Sequence, residues 1–145
     1  MKHVSVAEAH QQQQNGHTYV DVRSTREFES GHPAGAVNVP LLEHDDSGQM
    51  TQNPDFLPVM KASFAPDAKL LLGCQAGMRS LKAAQMLETF GFADVTNVKG
   101  GWGGARDQSG AVLEPGWSTS NLPIETDTPA DRTYEALLVK ADKAE

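Results

Sequence analysis

The stretch Lys69-Leu70-Leu71-Leu72-Gly73-Cys74-Gln75-Ala76-Gly77-Met78-Arg79-Ser80-Leu81-Lys82-Ala83-Ala84-Gln85-Met86-Leu87 decides the fold. Leu70 to Leu72 run apolar into Gly73, as a strand buried on both faces does. From Met78 onward, Met78, Leu81, Ala84 and Leu87, flanked by Ala83 and Met86, recur at helical spacing. Cys74, the one cysteine of the chain, therefore stands where a parallel strand hands over to a helix. Helix N-termini present unpaired N–H groups and partial positive charge, which stabilise an anionic sulfur. A lone cysteine is most often inert packing. Here the short loop Gln75-Ala76-Gly77-Met78 can curl its amides toward the sulfur, so the position reads as a nucleophile's. With a single cysteine there is no internal disulfide, no CxxC redox pair and no thiolate partner for a zinc cluster.

On either side of this stretch the chain alternates strand and helix. His3-Val4 reads as a short first strand, and Ser5-Val6-Ala7-Glu8 as a capping box whose helix fades near Asn15-Gly16. Thr18 to Val22 is β-rich and apolar, a central strand. Ser24-Thr25-Arg26-Glu27 repeats the capping box and opens a short helix that stops before Gly31. Ala36 to Val39 is a strand closed by Pro40. Glu43 to Gln52 reads as a polar loop turning at Asp45-Asp46-Ser47-Gly48. Asn53-Pro54 predicts a helix capped by the asparagine, with proline at its first position and an irregular first turn around Pro58. The helix after Cys74 ends at Gly91, Asp94 to Val98 is the last strand, and Gly100-Gly101-Trp102 is a turn.

Short strands alternating with helices predict an α/β fold, a parallel sheet with helices on both faces. Ligands of such sheets bind at the carboxyl ends of the strands. Cys74 lies at one such end, and Asp21 and Arg23 at another.

At 145 residues the chain is one domain, residues 1–125, plus a charged tail, 126–145. Within the tail, Tyr134, Leu137, Leu138 and Ala141 fall at helical spacing and predict a helix that packs on its own domain. A net charge of −7 argues against nucleic acid or an anionic membrane as partner. No stretch approaches a membrane span, and Met1 to Gly16 lacks the basic-then-apolar pattern of a signal, so the expected compartment is the cytoplasm.

Four motifs in order complete the reading. Val20-Asp21-Val22-Arg23, Glu27 to Pro40, the Cys74–Ser80 loop and Gly100-Gly101-Trp102 resemble the rhodanese (sulfurtransferase) domain over about Val4 to Pro123, closest to single-domain members that include small plant-type ones. The resemblance implies a five-stranded parallel sheet and a persulfide on Cys74, held by the backbone of Gln75, Ala76, Gly77 and Met78. It implies a small anionic sulfur donor such as thiosulfate, a thiophilic acceptor that can be a protein, and no cofactor or metal.

Arg79 either binds the sulfonate end of the donor or folds back onto Asp21 or Glu27 as an ion pair. Ser80 caps the helix or bonds near the sulfur, the cap being the ordinary role. Asp21 and Arg23 read as a supporting pair, and His32 as a structural hydrogen-bonder. Two departures stand out: Gly31-His32-Pro33-Ala34-Gly35-Ala36 has its proline one place early, and residues 103–116 expand a usually short connection.

Two alternatives compete with the sulfurtransferase. One is a non-enzymatic sulfur carrier or binding module of the same fold; the intact Cys74 argues against a purely structural role but not against a carrier that turns over poorly with thiosulfate. A phosphatase or arsenate reductase typically spaces cysteine and arginine by five residues, whereas four separate Cys74 from Arg79, and Gly73 stands where a tyrosine phosphatase has histidine.

Overall fold

A computed structural model describes residues 1–144. Five strands, β1 (Lys2–Val4), β2 (Thr18–Asp21), β3 (Val37–Asn38), β4 (Lys69–Gly73) and β5 (Asp94–Val98), form one sheet in the order β1-β5-β4-β2-β3. Every pairing in it is parallel. The strand that delivers Cys74 is thus the middle one.

The five α-helices among the described residues are α1 (Val6–Gln14), α2 (Thr25–Glu29), α3 (Phe56–Ser63), α4 (Met78–Thr89) and α5 (Tyr134–Ala144). Side chains alternate across a strand, so Leu70 and Leu72 face one layer and Leu71 the other. Leu70 and Leu72 join Phe56, Val59 and Met60 of α3, Ala83, Ala84 and Leu87 of α4, and Leu137 and Ala141 of α5. Leu71 joins Val6 and Ala9 of α1, Phe28 of α2, and Trp117. Both faces of the middle strand are covered, which is why Leu70 to Leu72 run unbroken through its buried part.

Both predicted capping boxes form. Ser5 and Glu8 exchange bonds at the start of α1, and Ser24 and Glu27 do so at the start of α2. Helix α3 departs from the sequence reading. Its N-cap is Asp55, so Pro54 lies in the preceding turn rather than at the first helical position. Asn53 builds that turn instead: its side chain accepts from the Asp55 N–H at 3.1 Å and its carbonyl from Phe56 N–H at 3.2 Å. Pro58 then falls within the first helical turn, whose N–H groups have no intrahelical acceptor to lose.

Two segments without predicted strands are hairpins. Leu42–His44 pairs with Met50–Gln52, and Ala105–Arg106 with Val112–Glu114, both antiparallel. Each turn is tied by an aspartate. Asp45 accepts from Ser47 and Gln49 N–H, and Asp107 from Ser109 and Ala111 N–H.

The C-terminal segment is held by the body of the fold. Ile124–Glu125 pairs with His32–Pro33, and Tyr134 Oη accepts from the Asn53 amide at 2.9 Å. Leu137 is buried against α3, so Leu137→Ala is expected to destabilise the protein by about 2–3 kcal/mol, read as a lowered urea midpoint. An unchanged midpoint would show that α5 contributes nothing to the core.

Candidate active site

Cys74 follows the last residue of β4, and its side chain is 2% exposed. The backbone then turns through Gln75 and Ala76 to Gly77, which caps α4 at φ +101. A β-carbon at Gly77 would stand 2.6 Å from the Lys99 carbonyl oxygen, so glycine is required by both conformation and space. The turn delivers the Gly77 N–H to the Cys74 sulfur at 3.1 Å. An N–H aimed at sulfur from the N-cap of a 12-residue helix stabilises negative charge there.

The loop is fastened from behind by the Gly100-Gly101-Trp102 turn. Trp102 N–H donates to the Cys74 carbonyl at 2.7 Å, and Gly103 N–H to the Gln75 carbonyl at 2.9 Å. A β-carbon at Gly101 would lie 2.2 Å from the Cys74 carbonyl oxygen, which shows how closely the two backbones approach. Trp102 is fixed in turn by the Arg23 guanidinium, 5.0 Å above its ring.

Arg23 is committed to Asp21. Both are buried, with Nη2 at 2.7 Å and Nε at 3.0 Å from the carboxylate, and a further bond runs from Nη2 to the Gly31 carbonyl at 2.8 Å. The pair thereby holds the Arg23 guanidinium over the Trp102 ring. His32 is likewise part of the frame: it is buried and stacked on Phe28, and its Nδ1–H donates to the Phe28 carbonyl at 2.7 Å.

Arg79 folds back onto Glu27 of α2, with Nη1 and Nη2 at 2.7 and 2.9 Å from the two carboxylate oxygens. Burial alone would push the Glu27 carboxyl up. The bonds from Arg79 and from the Ser24 backbone outweigh it and hold the group at about 2. Because the folded value lies below the ordinary one of 4.5, this pair's stabilisation is full above about pH 4.5 and lost as pH falls toward 2. Arg79→Ala is therefore expected to cost about 1 kcal/mol at pH 7, the pair being partly solvated, and to flatten the acid limb of the stability curve. Urea melts of both proteins at pH 7 and pH 3 measure it. Equal losses at the two pH values would contradict the assignment.

The other loop residues divide by exposure. Gln75, Ala76 and Met78 are exposed, Met78 at 77%, and form the rim. Ser80 is fully buried, and here the structure corrects the ordinary cap reading. Gly77 is the N-cap of α4 and makes no side-chain bond, while the Ser80 hydroxyl lies 3.4 Å from the Cys74 sulfur and 2.7 Å from Asn97 Oδ1. Asn97 in β5 was not singled out from the sequence. Its signal was available: a polar residue near the carboxyl end of the strand next to the cysteine's.

A groove of about 590 Å³, lined among others by Phe28, Glu29, Thr128, Tyr134 and Leu138, involves no residue of the Cys74 loop. Depth does not mark this site; the convergence of backbone on one sulfur does. No helix among the described residues is long and apolar enough to cross a membrane.

Comparison with known proteins agrees with this geometry. Thiosulfate sulfurtransferase 16, chloroplastic, of Arabidopsis thaliana is 43% identical over 99 residues, 68% of this chain and 82% of the relative. The chloroplastic rhodanese-like domain-containing protein 15 of the same plant is 34% identical over 122 residues, 84% of this chain but 60% of the relative. Among solved structures, that of Rv0390 from M. tuberculosis superposes with a TM-score of 0.71 at 24% identity, covering 88% of this chain and 98% of the other, a likeness of fold. The Rhodanese-like domain family matches residues 5–107, a span that holds β2 to β5, the Cys74 loop and the turn behind it. The chain belongs to the rhodanese-like domain family.

Proposed function

We propose that the protein is a sulfurtransferase that carries a sulfane sulfur on Cys74. The observation that carries this reading is the Cys74 sulfur in its backbone loop, with the Gly77 N–H 3.1 Å away at the start of α4. The Cys74 thiolate attacks the outer sulfur of thiosulfate or a similar donor. The sulfur–sulfur bond of the donor breaks, its electron pair leaves with sulfite, and a Cys74 persulfide anion remains. Cyanide, a thiol or a protein acceptor then attacks the terminal sulfur, and the electron pair of the persulfide bond returns to Cys74 as thiolate. The Gly77 N–H meets Cys74 Sγ, which bears the charge as thiolate and adjoins the anionic terminal sulfur in the persulfide. The exposed residues Gln75, Ala76 and Met78 form the mouth that receives the donor.

The name thiosulfate sulfurtransferase borne by a relative of 43% identity supports the activity. We read the arginine as a support of the loop rather than a grip on an oxyanion, a reading favoured by its paired bonds to the Glu27 carboxylate. That pairing and the four-residue spacing disfavour a phosphatase or arsenate reductase.

Initial-rate kinetics with thiosulfate and cyanide test the reading. Parallel double-reciprocal lines are expected, because the first product leaves before the second substrate reacts. Intersecting lines would require both substrates bound at once and would overturn the two-step scheme. Absence of turnover with any persulfide or thiosulfonate donor would favour the carrier or binding-module alternative.

A further inference from the structure

Behind Cys74 runs a chain of side-chain hydrogen bonds that reaches the far edge of the sheet. The Cys74 sulfur lies 3.4 Å from Ser80 Oγ, Ser80 Oγ lies 2.7 Å from Asn97 Oδ1, and Asn97 Nδ2 lies 3.3 Å from His3 Nδ1. Ser80 is fully buried and Asn97 is 4% exposed, whereas His3, paired with Asn97 across β1 and β5, is open to solvent.

Counting protons gives the chain a direction. Ser80 has one hydroxyl proton and three acceptors in reach: Asn97 Oδ1 at 2.7 Å, the Gly77 carbonyl at 3.2 Å and the sulfur at 3.4 Å. The nearest takes it. Ser80 then offers the sulfur only a lone pair, which suits a thiol whose S–H donates. Asn97 Nδ2–H donates outward to His3 Nδ1, so the neutral ring carries its proton on Nε2.

An anionic sulfur needs the reverse. Ser80 must donate to it, Asn97 must turn its amide over and donate Nδ2–H to Ser80 Oγ, and Asn97 Oδ1 must accept from His3 Nδ1–H. Every group in the chain can do this. The serine hydroxyl rotates, the amide carries a donor and an acceptor, and the exposed imidazole exchanges tautomer through water by losing the Nε2 proton and gaining one on Nδ1. The net proton released is the one from Cys74.

We infer that Asn97 and His3 are positioning residues for Cys74, setting whether the Ser80 hydroxyl accepts from a thiol or donates to an anionic sulfur. The inference rests on the reading of Cys74 as the sulfur-carrying nucleophile, and it names what makes the same pocket fit both charge states. The charged and titratable groups around the Cys74 loop are Tyr19, Asp21 and Arg23 from β2 and its end, Glu27 from α2, Arg79 from α4, and Lys99 after β5, whose carbonyl faces Gly77. Asp21, Arg23, Glu27, Arg79 and Lys99 are held in the ion pairs Asp21–Arg23, Glu27–Arg79 and Lys99–Glu114. None is altered by the tests below.

Two measurements decide. The first uses the unmodified chain: imidazole 15N shifts of His3, assigned with His3→Gln, are followed as Cys74 is ionised by raising pH and, separately, after thiosulfate loading. A move from the Nε2–H to the Nδ1–H tautomer is expected in both cases and is absent in Cys74→Ser. Identical His3 shifts in the thiol and anionic states would overturn the inference.

The second is a double-mutant cycle on the pH profile of Cys74 alkylation by iodoacetamide. Asn97→Asp can accept but not donate, holds the Ser80 proton, and should slow alkylation at pH 7 about tenfold, the worth of one charge-assisted bond. In a Ser80→Ala background the same substitution should have much less effect. An undiminished slowing there would mean that the new charge acts through space, not through Ser80. Mass spectrometry of thiosulfate-treated protein separates the two failures. Persulfide formation with an unmoved His3 sinks the relay alone. Absence of persulfide sinks the donor reading, and the alkaline titration still tests the relay.

Discussion

Cys74→Ser should abolish sulfur transfer while leaving the fold intact. The serine oxygen can accept the Gly77 N–H that the sulfur accepts now at 3.1 Å, and its smaller size leaves only a slight gap beside Ser80. A stability change within about 1 kcal/mol follows. A hydroxyl at this position has no base to activate it and cannot form a stable sulfur–sulfur bond, so turnover should fall by about 10³-fold or more. Thiocyanate production and a urea melt on the same preparation check both halves. Retained activity in a folded Cys74→Ser protein would refute nucleophilic catalysis here, because the chain has no other cysteine.

Gly101→Ala should damage the site from behind. The left-handed backbone at Gly101, φ +58, costs an alanine about 1–2 kcal/mol. The larger effect is steric. The new β-carbon would sit 2.2 Å from the Cys74 carbonyl oxygen and 2.9 Å from its carbon, so one of the two backbones must shift. That carbonyl accepts from Trp102 N–H at 2.7 Å, so the shift reaches the cysteine itself. A total loss of about 2–4 kcal/mol is expected. A displacement of about 1 Å at the nucleophile should lower kcat/KM by about 100-fold. Gly110→Ala is the control. Its φ of +87 carries similar backbone strain, but nothing lies within 4 Å of its β-carbon. It should lose stability without losing activity. Equal activity in the two variants would show that the turn does not position Cys74.

What the sequence revealed and what it hid follow one physical rule. Leu70 to Leu72 betray the middle strand because both faces of it are covered, and the two capping boxes betray their helices because the bonds are local. The hairpins at 42–52 and 105–114 were unreadable as strands. Met50, Thr51 and Gln52 are all exposed, as are Val112 and Leu113, so no alternation of apolar and polar residues records their pairing. Only their aspartate turns leave a mark in the sequence, at Asp45 and Asp107.

At the site, the loop residues 74–80 and the Asp21–Arg23 pair were legible because they are short-range in sequence. The Arg79 bond to Glu27, one of two partners foreseen, spans 52 positions and needed the structure to choose. The contacts of Ser80 with Asn97 and of Asn97 with His3 join residues brought together only by the strand order β1-β5-β4. A polar side chain in a strand carries no sequence signal of which neighbour it meets. The C-terminal helix was recognised by its spacing. That Leu137 and Ala141 complete the core over α3 depends on tertiary packing that periodicity does not specify.

The central claim is that Cys74 carries the transferred sulfur, and the intact mass of the protein tests it most directly. Incubation with thiosulfate should add the mass of one sulfur atom, the addition should disappear with cyanide, and neither change should occur in Cys74→Ser. An unchanged mass with thiosulfate and with persulfide donors, or a gain that persists in Cys74→Ser, would contradict the account.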